Sequence, residues 1–96
     1  MNFEEFRHTL SFTEPPAQIS GYLLSLWYDA KGDWEKSHSI IQEINDSTAA
    51  WIHAYLHRKE GDTGNADYWY HRAGRKRPFS SLEKEWEEMV KELTLA

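Results

Sequence analysis

Residues 22–44 read YLLSLWYDAKGDWEKSHSIIQEI and residues 51–73 read WIHAYLHRKEGDTGNADYWYHRA. The pair Gly32-Asp33 in the first stretch returns 29 positions later as Gly61-Asp62 in the second. At that offset Tyr22 meets Trp51, Leu23 meets Ile52, Ser25 meets Ala54, Trp27 meets Leu56, Ser37 meets Ala66, Ile41 meets Tyr70 and Ile44 meets Ala73. Size and polarity persist on both sides of the glycine, so the chain contains an internal repeat, and a repeat decides the fold before any single element does.

Each copy predicts two helices. In the first, Ile19, Tyr22, Leu23, Leu26, Trp27 and Ala30 recur at the i, i+3, i+4 spacing of one helical face. Pro15-Pro16 suit the first turn of that helix, because proline lacks only an amide hydrogen that a first turn does not use. Gly32 suits a left-handed helix end, and Asp33 the N-cap of a second helix over 34–45 whose inner face is Trp34, Ser37, Ile41 and Ile44. The second copy predicts helices over about 47–60 and 64–74. Small residues four apart, Gly21 with Ser25 and Ala50 with Ala54, mark where paired helices approach closely. Downstream, Leu82, Trp86, Met89, Val90 and Leu93 define an amphipathic helix over 80–94, with Ser80 and Glu83 as a capping box. Upstream, Phe3, Phe6 and Leu10 suggest a short N-terminal helix. The expected fold is all-α, one domain over 1–96: two tandem helix-turn-helix hairpins, repeat 1 over about 18–46 and repeat 2 over about 47–78, with both flanking helices as caps. In such a stack Asp29 and Arg58 occupy equivalent places, which predicts a close approach between their opposite charges.

Gly61, Ala66, Tyr70, Ala73 and Pro78 follow the order of the turn and second helix of a tetratricopeptide repeat, and Ala66-Asp-Tyr-Trp-Tyr-His-Arg-Ala73 resembles the Sel-one-like variant. The whole chain is similar to short bacterial proteins of this type. The first copy departs from the pattern at Ser37, Ile41, Ile44 and Ala49, and the 29-residue period is shorter than the roughly 34 residues usual there. The resemblance implies an α-α superhelical scaffold for protein or peptide binding over about 18–78, without catalytic residues or cofactor.

Composition narrows the function further. With no cysteine among 96 residues, disulfides and thiolate sites are excluded. No apolar run approaches the roughly 18 residues that span a bilayer, and the first residues lack a basic, apolar leader, so a cytoplasmic place with no membrane partner is expected. Net charge is −5, yet residues 51–77 carry Arg58, Lys59, Arg72, Arg75, Lys76 and Arg77 against Glu60, Asp62 and Asp67. Trp51, Tyr55 and Arg58 share a helical face, and together with Arg72 and Arg75 they form the candidate partner-binding set, since aromatics and arginine dominate interface energetics. A patch of this sign attracts an acidic peptide or protein surface. The alternative is that the acidic C-terminal helix covers it from within; Trp51 and Tyr55 equally fit a core. The basic run beside Tyr68 and Trp69 resembles single-stranded nucleic acid binders, but the acidic balance weighs against nucleic acid.

Of enzymatic constellations none is present: no phosphate loop, no nucleophile elbow, no zinc-finger spacing. Glu83, Glu85, Glu87, Glu88 and Glu92 alternate with the apolar face of the last helix and are expected on its outer side. His53 and His57, four apart, place two imidazoles on one face as a metal site requires. Their repeat equivalents are Leu24 and Tyr28, which favours packing, and no third ligand stands out, although His38 and His71 lie on neighbouring helices. The sequence therefore favours a non-enzymatic interaction module over a metal- or small-ligand-binding protein using His53 and His57, and over a self-assembling homo-oligomer.

Overall fold

The computed structural model describes residues 1–94. Six helices form: α1 Phe3–His8, α2 Gly21–Ala30, α3 Trp34–Ile41, α4 Ser47–Lys59, α5 Thr63–Arg72 and α6 Leu82–Leu93, with a 3-10 turn Thr9–Ser11 after α1. No strand occurs among the described residues. Every helix begins on a side-chain cap: Asn2, Ser20, Asp33, Asp46, Asp62 and Ser81 each accept a hydrogen bond from an amide in the first turn. Such caps satisfy donors that a helix start otherwise leaves free.

The two Gly-Asp turns share one backbone form. Gly32 and Gly61 adopt φ 87° and 88°. The amide of Asp33 donates to Tyr28 O and that of Asp62 to His57 O, both at 2.9 Å, closing the same six-residue ring after each helix. α2 packs chiefly against α3 and α4 against α5. A Cβ on Gly21 would stand 2.8 Å from Ile44 Cδ1 in the turn after α3, and where α2 meets α3 Ser25 Oγ lies 2.9 Å from both the carbonyl and the hydroxyl of Ser37. The equivalent pair in the second copy, Ala54 and Ala66, is fully buried. The small-residue stripe therefore marks the seam within each pair.

Helix boundaries differ from the sequence expectation at three places. The helix expected to start at Pro15-Pro16 starts instead on Ser20, whose hydroxyl accepts from Leu23 N; Gln18 takes a left-handed φ of 62°, which interrupts any helix from the prolines. The C-terminal helix is capped by Ser81, which accepts from Lys84 N, and not by a Ser80–Glu83 box; the Ser80 carbonyl is turned to Arg58. α3 stops at Ile41, where a tight turn from Ile44 N to Ile41 O takes over.

The core joins all parts: Phe6, Leu26, Trp27, Ile41, Ile52, Leu56, Tyr70, Met89 and Val90 are buried, while Ala73 is only half-buried. α6 packs on α2, α4 and α1. Trp86 donates to Leu26 O at 3.1 Å and meets Phe3 and Phe6 at ring distances of 6.1 Å. α1 and α6 thus meet beside α2 and α4. No ion pair joins Asp29 to Arg58. Asp29 accepts from Lys59 Nζ and Tyr55 OH, each at 2.8 Å. Successive residues on a helix point about 100° apart, so Lys59 and Tyr55 face α2 and Arg58 faces α6.

Candidate functional site

The residues expected to bind a partner divide into three groups. Trp51 and Tyr55 are buried. The indole of Trp51 donates to Glu85 Oε2 at 3.1 Å. Arg58 Nη1 donates to Glu85 Oε1 at 2.7 Å and its second amino group donates to Ser80 O. Tyr70 OH donates to the same carboxylate at 2.7–2.8 Å. Glu85 is 1 % exposed, so the expectation that it lies on the outer side of its helix is wrong. Its carboxylate is the buried acceptor that ties α4 and α5 to α6. Glu83, Glu88 and Glu92 are exposed as expected. Tyr55 and Tyr70 are both held well above the ordinary phenol range, first by burial and then by the carboxylates beside them.

Arg75 lies on the surface of this seam. Its guanidinium sits 3.4 Å above the Trp51 ring and 3.5 Å from Glu92. It also borders an open cleft of about 600 Å³ with Arg58, His71, Lys76, Arg77 and Phe79. Phe79 is fully exposed. Arg77 reaches Asp67 at 3.1 Å, both half-exposed, and Lys76 extends into solvent. Arg72 stands elsewhere: it donates to Tyr68 OH at 3.1 Å, covers the Trp69 ring at 5.1 Å, and lines a second concavity of about 320 Å³ with Trp69 and His53. The structure therefore joins Arg58 and Arg75 at one cleft and separates Arg72 from them.

Histidines form a third cluster. His53 and His57, on one face of α4, are buried. His38 joins them from α3, with its Nε2 3.0 Å from His53 Nε2; the ligand nitrogens of all three lie within 4.8 Å of one another. Aromatic walls fix the rings: Trp34 stacks on His38 at 4.8 Å and Trp69 on His53 at 3.9 Å. Glu60 Oε1 holds His57 Nδ1 at 2.6 Å. Burial, followed by the charges of His38 and His57, pulls His53 down to about 4. His38 is lowered too, first by desolvation and then by His57. Both rings are therefore neutral at neutral pH, and in their 3.0 Å contact one Nε2 donates a proton to the lone pair of the other. His71 is exposed and lies outside the cluster. His38 has a signal in the sequence, since it follows Trp34 by one helical turn and Trp34 was assigned to the inner face.

No helix among the described residues is long and apolar enough to cross a membrane. No protein-family model matches the chain, and no curated protein or solved structure matches it either.

Proposed function

We propose that the chain is a non-enzymatic interaction module whose α2–α3 and α4–α5 pairs are tetratricopeptide-like hairpins, and that it binds an acidic peptide or protein surface in the cleft bordered by Arg75, Lys76, Arg77 and Phe79. The carrying observation is the cleft itself: three consecutive cations and a fully exposed phenylalanine, with Asp67 the one acid beside them, line an open concavity on a chain of net charge −5. Cations steer an acidic partner and pair with its carboxylates, while an exposed ring offers an apolar anchor at the centre of the contact. Arg58 contributes to the cleft's floor, but its guanidinium is committed to Glu85 and serves the fold.

The experiment is fluorescence anisotropy with labelled peptides rich in Asp and Glu that also carry one aromatic residue, at low salt. Binding that weakens with added salt, and that the Lys76→Glu/Arg77→Glu double variant abolishes without lowering the melting temperature, supports the reading. Binding that the double variant leaves intact, or its absence for every such peptide at low salt, overturns it.

A further inference from the structure

We propose that His38, His53 and His57 form a binding site for a divalent transition ion of the zinc class, with a fourth position left to water or to an external ligand. The site lies away from the basic cleft and stands independently of any peptide partner.

Geometry carries the inference. Ligand nitrogens of a tetrahedral zinc, each about 2.0–2.1 Å from the ion, lie about 3.3 Å apart. His38 and His53 already present theirs at 3.0 Å, and the third falls within 4.8 Å of both. Bringing the set to a common centre calls for a shift of the imidazoles, for which the partly exposed His38 has the most room. The helix spacing of His53 and His57 fixes two donors on one rigid element, and α3 supplies the third across the α3–α4 contact.

The surroundings match what metal-bound imidazoles need. A ligating histidine usually gives its other ring nitrogen to a carboxylate, which fixes the tautomer and strengthens the donor. Glu60 does this for His57 by taking Nδ1 at 2.6 Å, leaving Nε2 for the ion. Trp34 and Trp69 hold the other two rings from their outer faces. An all-imidazole donor set of this kind suits zinc, copper or nickel and not the oxygen-seeking calcium or magnesium. The partly exposed edge of His38 supplies the entry path and the open coordination position.

Zinc chloride titrated into the full chain is expected to bind in a one-to-one ratio and to raise the melting temperature. Long-range proton–nitrogen spectra of the five imidazoles give the decisive readout in the unmodified protein. His38, His53 and His57 are expected to shift, with His8 and His71 unchanged as internal controls. His38→Ala, at a partly exposed position, is expected to weaken binding more than tenfold, and Glu60→Ala about 10- to 100-fold. Asp62 lies close to His57 and Glu60 in a more exposed alternative set, so Asp62→Asn should leave zinc binding unaltered. Absence of stoichiometric binding, shifts confined to His57 or including His8 or His71, or loss of binding in Asp62→Asn would each overturn the assignment.

Discussion

Glu85 Oε1 accepts a 2.7 Å hydrogen bond from Arg58 Nη1 across the junction of α4 and α6, with the carboxylate buried and the arginine side chain 18 % exposed. Desolvating an ion pair offsets much of its attraction, so the pair contributes little net stability, while removing either partner alone is strongly destabilising. Glu85→Ala strands the Arg58 charge and the donors of Tyr70 and Trp51 together. We expect a loss of about 3–5 kcal/mol for this variant, and a distinctly smaller loss for Arg58→Met/Glu85→Met. Urea unfolding of the variants checks it. A double variant as unstable as the sum of its singles would show that the charges are not energetically coupled.

Leu56 is completely buried, and its carbonyl also receives the indole of Trp34 at 2.8 Å. Leu56→Ala keeps that backbone acceptor and removes only side-chain volume. The expected cost is about 2–5 kcal/mol, a large part of the total stability of a small domain. Thermal melting that matches the parent protein would place Leu56 outside the core.

The Ser25–Ser37 hydroxyl pair occupies the positions that Ala54 and Ala66 hold in the second copy. Replacing Ser25 leaves the buried Ser37 hydroxyl without its partner, at an expected cost of about 1–3 kcal/mol, whereas replacing Ser37 leaves the Ser25 hydroxyl bonded to the Ser37 carbonyl. Replacing both recreates the apolar seam of the second copy and should cost much less than the two single changes combined. Strict additivity in a double-mutant cycle would contradict this.

Asp46 caps α4 through Ala49 N at 2.8 Å and accepts from the Tyr22 hydroxyl. The phenol first, and the cap amide second, hold its carboxyl below the usual 3.8. The folded state therefore favours the ionised form. Its contribution is fully present above pH 3.8 and disappears as pH falls through the lower folded value. Asp46→Ala is expected to cost about 1 kcal/mol at neutral pH. The gap in stability between parent and variant should close below pH 3.8, whereas a gap that widens with acid would reverse the sign of the argument.

Legibility in the sequence followed the range over which each interaction acts. The Gly-Asp turns, the helical faces and the small-residue seam depend on neighbours within a few residues or one repeat, and the structure contains them. The role of Glu85 depends on donors from Trp51, Arg58 and Tyr70, 15 to 34 residues away. Nothing in the local alternation of α6 separates Glu85 from its exposed neighbours Glu83 and Glu88. Arg58 shows the same limit from the other side. The repeat offset made it the equivalent of Asp29, but α6, which has no counterpart in the repeat, draws it away. The histidine cluster was half legible: the spacing of His53 and His57 placed them together on α4, and His38, one turn after Trp34, became their neighbour through the packing of α3 against α4.

The docking of α6 also shapes the order in which the chain can fold. Contacts within α2–α3 and α4–α5 close short loops, whereas the bond from Trp86 to Leu26 joins residues 60 positions apart. Loop-closure entropy makes such distant contacts slow to gain. The two central helix pairs can therefore assemble from local encounters, while the junction around Glu85 and Trp86 closes late and joins them to both ends of the chain.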